Sequence, residues 1–74
     1  MTAVAKAEIA EAAAVELREI EHRLKELQAD LSAAKLHRAT LRVERMILLA
    51  HTTASGLRQQ AGKIRGRLSQ LLEA

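Results

Sequence analysis

The sequence predicts an all-α protein, an antiparallel helical hairpin that dimerises into a four-helix bundle. The 74 residues include no Pro and only three Gly, and they are dominated by Ala, Leu, Glu, Arg and Lys, which are strong helix formers. Apolar residues recur every three or four positions, which is the spacing of one face of a helix. No segment has the composition or pattern of a strand.

The small size of the chain predicts that it needs a partner. A chain of this length buries only about 60% of the surface that it exposes when unfolded. The absence of Cys excludes disulfides and Cys-ligated zinc as sources of stability. The absence of Phe, Trp and Tyr removes the side chains that bury the most area. We therefore expect a homodimer or higher oligomer.

The first helix is predicted over residues 4–30 of a single domain covering residues 1–74. Its apolar residues follow the spacing of a coiled-coil seam. The predicted seam of this helix consists of Ala10, Ala13, Leu17, Ile20, Leu24, Leu27, Leu31 and Ala34.

The second helix is predicted over residues 35–72, with a seam of unbroken alternation between spacings of four and three. Its members are Leu36, Thr40, Val43, Ile47, Ala50, Ala54, Leu57, Ala61, Ile64, Leu68 and Leu71. On one straight helix the two seams would lie on roughly opposite faces. The chain is therefore expected to turn between Asp30 and Lys35, where Asp30 and Ser32 are candidate N-caps.

A second turn near residues 52–56 is the alternative. The segment HTTASG, residues 51–56, holds two β-branched threonines, a serine and a glycine, which are poor helix formers. A turn there would give a three-helix bundle. The continuity of the second seam favours one helix, kinked at most. Leu41, Leu48 and Leu49 lie off that seam, so the middle of the helix must be covered on several sides.

A hairpin would bring the helices together with matched charge and size. The Ala-rich segment 3–14 would lie alongside the small residues of segment 50–62. Acidic residues of the first helix would lie near basic residues of the second; these are Glu19, Glu21 and Glu26, and Arg38, Arg42 and Arg45.

The sequence carries no motif for catalysis, a metal or a cofactor. Glu19 and His22 have the Glu-x-x-His spacing of di-iron bundles, but His22 falls outside the seam, so a solvated pair is the better interpretation. A Gly-rich phosphate loop and a Cys nucleophile are both missing. We expect no enzymatic activity, no catalytic or metal-binding residues and no cofactor.

The expected function is stoichiometric binding of another macromolecule, as a regulator, adaptor or inhibitor. The partner-binding surface is predicted on the basic, amphipathic C-terminal segment, which would overhang the shorter first helix. Its apolar anchors and steering charges are Leu68, Leu71, Leu72, Arg58, Arg65 and Arg67.

A nucleic-acid-binding or nucleoid-type protein is the alternative function. Basic residues along one helix neutralise phosphates, and the candidates are Arg38, Arg42, Arg45, Lys63 and Arg67. Asn residues that would read bases and aromatic residues that would stack on them are both missing. A purely structural assembly is a third possibility. No membrane contact is expected, and the expected location is the cytoplasm.

Overall fold

The protein is a helical hairpin, as the sequence predicts. The computed structural model describes residues 1–73, in which helix α1 spans Ala3–Ala33 and helix α2 spans His37–Glu73. The helices pack along their length in a rod of 59 × 17 × 13 Å. α1 continues three residues beyond the predicted end, and α2 begins two residues later than predicted.

Thr2 fixes the start of α1. Its backbone is extended, and its hydroxyl oxygen accepts a hydrogen bond from the Ala5 amide at 3.1 Å. A threonine at this position satisfies one of the amide groups that have no partner inside the first turn. The alanines that follow have the highest helix propensity of any residue, so α1 begins immediately after its N-cap, at Ala3.

The turn between the helices is a Schellman motif centred on Lys35. Lys35 has a φ of 61°, and its amide donates to the Ser32 carbonyl while the Leu36 amide donates to the Leu31 carbonyl, each at 3.0 Å. This pattern normally has Gly at the left-handed residue. Asp30 and Ser32 therefore lie inside α1, and the prediction that they cap α2 is wrong.

α2 runs without a break through residues 52–56, which rules out the three-helix bundle. The Thr52 hydroxyl donates to the Leu48 carbonyl at 3.0 Å and to the Leu49 carbonyl at 3.2 Å. The Thr52 hydroxyl is thus hydrogen-bonded within the helix. Tertiary packing of the α2 seam outweighs the weak helix propensity of this segment.

The register of the hairpin follows from its turn and from its alanine core. Ala7, Ala10 and Ala61 form a buried cluster, with Leu57 and Ile64 packed against it. The midpoint of the turn lies between Lys35 and Leu36, so each residue of α1 pairs with one equally far along α2. This register places segment 3–14 beside residues 57–68, so its predicted alignment with segment 50–62 is correct only for residues 9–14.

The seam predicted for α2 is the face that packs against α1. Val43, Ala50, Ala54 and Ala61 are buried, and the seam residues between Thr40 and Leu68 that complete it are half-buried. Leu36 and Leu71 are exposed, because they lie at the turn and beyond the start of α1 respectively.

The seam predicted for α1 is only half correct. Ala10, Leu17, Leu24 and Leu31 lie on the packed face, but the residues between them differ from the prediction. Ala7, Ala14, Glu21 and Gln28 are buried or half-buried in the packed face, whereas Ile20 and Leu27 stay exposed. The packed face of α1 is therefore rotated away from its most apolar stripe, and small residues face small residues.

Candidate protein interface

The hairpin has two edges of different chemistry. The packed face of each helix has two positions in every seven residues, spaced three and then four apart. The residue that follows the second position of each repeat lies on one edge, and the residue that precedes the first position lies on the opposite edge. The first, here called the charged edge, consists of Glu11, Arg18, Lys25, Glu44, His51, Arg58 and Arg65. The second, here called the apolar edge, consists of Ala13, Ile20, Leu27, Ala39, Met46 and Thr53.

An ion pair between Glu11 and Arg65 joins the helices on the charged edge. The Nε atom of Arg65 donates to Oε1 of Glu11 at 3.0 Å, and the Nη2 atom donates to the same oxygen. These hydrogen bonds lower the pKa of the Glu11 carboxyl and raise the pKa of the Arg65 guanidinium. Arg65, predicted as a steering charge for a partner, is therefore held by its own chain.

Glu21 makes a second connection between the helices. Its Oε1 atom lies 3.1 Å from Nδ1 of His51, and its Oε2 atom lies 3.0 Å from Nζ of Lys25. The hydrogen bond from Lys25 is the main cause of a lowered pKa at Glu21; partial burial opposes it, and His51 adds to the lowering. The Glu21 carboxylate, which lies on the packed face, thus has its polar partners, Lys25 and His51, on the charged edge.

The predicted proximity of Glu19, Glu21 and Glu26 to the arginines of α2 brings Glu21 and Arg45 to the same groove but gives no ion pair between the two sets in the described chain. Glu21 pairs with Lys25 and His51, and Glu26 pairs with His22 at 3.1 Å. In the described part of the chain no ion pair involves the three arginines, which are exposed. These arginines lie on the side of α2 opposite its seam; they are Arg38, Arg42 and Arg45.

A groove opens beside the charged edge near the middle of α2. Its volume is about 540 Å³. Leu41 and Leu48 form its apolar wall, and Glu21, Glu44 and His51 are among its polar residues. Leu48 is 64% exposed. Sequence reasoning placed Leu41 and Leu48 off the seam but did not predict this groove, which the α1 residue Glu21 completes.

The apolar edge exposes large side chains on both helices. Ile20 is 47% exposed and Leu27 is 46% exposed on α1, and Met46 is 51% exposed on α2. Leu49, which lies next to Met46 on the outer side of this edge, is 67% exposed. Between Ala13 and Thr53, through the turn, the apolar edge carries no charged residue.

The C-terminal segment of α2 projects beyond α1, as predicted. α2 has 37 residues and α1 has 31, so α2 is longer by about 9 Å at 1.5 Å per residue. Leu72 is 89% exposed, and Leu71 is also exposed. Leu68 instead lies half-buried in the seam, and Arg58 and Arg67 are exposed. The structure thus leaves two of the three predicted apolar anchors on the surface.

Three cations meet at the open end of the hairpin, at the polar continuation of the apolar edge. Lys6 of α1 and Lys63 and Arg67 of α2 line one shallow groove with Gln60 and Ile64. Lys63 and Arg67 were predicted from sequence, whereas Lys6 was not. The antiparallel register brings Lys6 next to Lys63 and Arg67. Lys6 could therefore be identified only from the register of the hairpin.

Neither helix within residues 1–73 has a stretch that is long and apolar enough to cross a membrane. The same residues contain no cluster of three or more His, Asp or Glu side chains arranged to hold a metal ion. His22 lies next to Glu26 rather than next to Glu19, with both side chains well exposed.

Comparison of the chain with protein-family models, with curated proteins and with solved structures finds no match in any of the three. The function is therefore inferred from the residues of the hairpin and their surroundings.

Proposed function

We propose that this chain is a small, non-enzymatic helical protein that self-associates and binds another macromolecule as a regulator, adaptor or inhibitor. One observation supports the proposal above all. Within the described residues, six of the seven buried apolar side chains are alanines, and the seventh is Val43. Many of the larger apolar side chains, such as Leu27, Leu48 and Leu72, lie on the surface, and all the rest except Val43 are only half-buried.

This distribution favours binding, because alanines contribute little free energy when they are buried. Burying a Val, Leu, Ile or Met side chain completely stabilises a protein by about 1.5–3 kcal/mol, and an exposed one contributes little of this. A partner that covered the exposed leucines would supply the burial that the single hairpin lacks. Of these exposed side chains, Ile20, Leu27, Met46 and Leu49 lie together on or beside the apolar edge, and exposed apolar patches are typical of protein interaction sites.

The projecting end of α2 is the proposed contact for another protein. Leu71 and Leu72 are its apolar anchors, and Arg58 and Arg67 are exposed charges that would steer an acidic partner. An amphipathic helix end of this kind suits a groove between helices of a target.

The test is capture of a partner from an extract of the source cells by the immobilised protein, with mass spectrometry of what is retained. A variant with Leu71→Asp and Leu72→Asp should lose a protein that the natural chain retains. Leu41→Asp, at an exposed leucine far from this end, serves as the matched control. Equal capture by the natural chain and the Leu71→Asp, Leu72→Asp variant would contradict the proposed contact.

Binding to nucleic acid is the second candidate function, favoured by the outward arginines. Arg38, Arg42 and Arg45 are exposed on one side of α2, and Lys6 joins Lys63 and Arg67 at the open end. Cations that bind phosphates release counterions, so affinity for duplex DNA would fall steeply with salt.

Titration of random duplex DNA at two salt concentrations tests this candidate. Replacing Arg38, Arg42 and Arg45 by Gln should weaken binding and should reduce the slope of log K against log salt. The reduction should be about one for each of these arginines that binds a phosphate. Absence of binding at low salt would rule out this function.

A further inference from the structure

The most apolar stripe of α1 is shared between two surfaces. Ala10, Leu17 and Leu24 belong to it and face α2, but Ile20 and Leu27 belong to it as well and lie on the apolar edge. A stripe wider than a single seam is characteristic of a helix that packs against two neighbours. α2 supplies only one of them, so the second neighbour of α1 must come from outside the hairpin.

We infer that a second copy of this chain packs against the apolar edge, antiparallel to the first, with the twofold axis beside Ile20. The inference rests on the proposed self-association and assigns it a surface and an orientation. The product is a four-helix bundle whose two turns lie at opposite ends. Because the interface is twofold, each residue that touches the partner is used twice.

The length of the hairpin fits such a dimer. With the axis beside Ile20, the two copies of α1 overlap from the level of Ala7 to that of Ala33, or about 39 Å of helix, and the hairpin is 17 Å across. The flat footprint is then about 660 Å² for each copy and about 1,300 Å² for the pair, above the roughly 1,000 Å² that a specific interface needs. The two copies together would bury Ile20, Leu27, Met46 and Leu49 twice.

The sizes of the side chains select the position of the axis. With the axis beside Ile20, Leu27 of one copy lies over Ala13 of the other, so a large side chain meets a small one. On α2 the same operation places Met46 over Gly56. A Cβ atom built on Gly56 meets nothing within 4 Å in the single hairpin, so space is available there for a side chain of the second copy.

Charge selects the antiparallel orientation. Lys6, Lys63 and Arg67 lie together at the open end of each hairpin, and a parallel dimer would bring both sets of cations side by side. The antiparallel dimer separates them by most of the 59 Å length of the rod, which removes this repulsion. At the rim of α1 it also places Glu16 of one copy near Arg23 of the other.

Disulfide formation tests the arrangement directly, because the natural chain has no Cys. Ile20→Cys should form a disulfide-linked dimer under mild oxidation, since the two copies of residue 20 meet at the axis. Leu48→Cys, at an exposed leucine beside the opposite edge, measures the rate of random collision. We expect Ile20→Cys to cross-link at least about tenfold faster. Circular dichroism confirms that both variants remain helical.

A mixed experiment fixes the orientation. An equimolar mixture of Leu27→Cys and Ala13→Cys chains should give mainly the heterodimer. Preferential cross-linking between Leu27→Cys and Met46→Cys chains would show a parallel dimer and overturn the antiparallel orientation.

The mass of the natural chain, measured by light scattering, separates this inference from the broader proposal. A dimer in which Leu48→Cys cross-links as fast as Ile20→Cys would overturn the apolar edge as its interface and leave self-association standing. A chain that stays at 8.1 kDa at millimolar concentration would contradict both, and the apolar edge would then belong to a different helical partner. A dimer with selective cross-linking at residue 20 supports both.

Discussion

Arg65 donates two hydrogen bonds to Glu11 and so ties the beginning of α1 to the last third of α2. The two residues are 54 positions apart in sequence, and the antiparallel register brings them to the same place on the charged edge. The opposite edge has no such pair between Ala13 and Thr53. Ion pairs between the helices therefore form on the charged edge, and the apolar edge stays free for apolar contact.

The Glu11–Arg65 pair predicts a pH dependence of stability. Arg65 lowers the pKa of Glu11 below the ordinary 4.5, so this pair stabilises the fold above about pH 4.5 and loses its contribution as the pH falls through the lower, folded-state pKa. Glu11→Gln should therefore lower the melting temperature at pH 7 but not at pH 2. Thermal unfolding by circular dichroism measures the difference.

Arg65→Gln provides the control for the Glu11 experiment. It should show a similar loss at pH 7, and the double variant should lose no more than the pair contributes, since the interaction is already absent in each single variant. Equal effects of Glu11→Gln at pH 7 and pH 2 would rule out the ion pair as their cause.

Replacing Lys35 by Gly should stabilise the hairpin. Lys35 has a φ of 61°, a conformation that costs an L-residue about 1–2 kcal/mol and costs Gly almost nothing. The greater freedom of Gly in the unfolded chain offsets part of this gain, which leaves about 0.5–1 kcal/mol. Urea unfolding measures the change. Ala34→Gly, at a residue with a φ of −79°, should destabilise instead, and the same sign for both variants would be inconsistent with the turn described.

Enlarging the alanine core should destabilise the protein. Ala14 is 1% exposed between the helices, so Ala14→Leu would force them apart at a cost of about 1–3 kcal/mol. Ala12→Leu adds the same atoms on the exposed side of α1 and should change the free energy of unfolding by less than about 0.5 kcal/mol. Equal effects of the two variants would show that the helices are not closely packed at Ala14.

Sequence reasoning predicted the hairpin and the α2 seam from Thr40 to Leu68, but only half of the α1 seam. A pattern of threes and fours marks the centre of an apolar stripe, and in α1 that centre lies between the packed face and the apolar edge. The closeness of the helices at Ala7 and Ala14 decides which half is packed. This choice depends on both helices at once, so the pattern of α1 alone could not reveal it.

The turn and the candidate surfaces show the same limit. The sequence predicts the reversal between Asp30 and Lys35, with Asp30 and Ser32 as candidate caps, because a left-handed Lys is not a signal that ends a helix. The exposed Leu71 and Leu72 followed from the greater length of the second helix. Lys6 and the groove of Glu21, Leu41 and Leu48 require the register between the helices, which the sequence pattern leaves undefined.

Self-association of the hairpin is tested by the melting temperature of the natural chain over a hundredfold range of protein concentration. If the exposed large apolar side chains are buried by a second copy, unfolding is coupled to dissociation, and the melting temperature should rise steadily with concentration. A melting temperature that stays constant, with a mass of 8.1 kDa throughout, would contradict the claim that the alanine-cored hairpin is completed by another copy of itself.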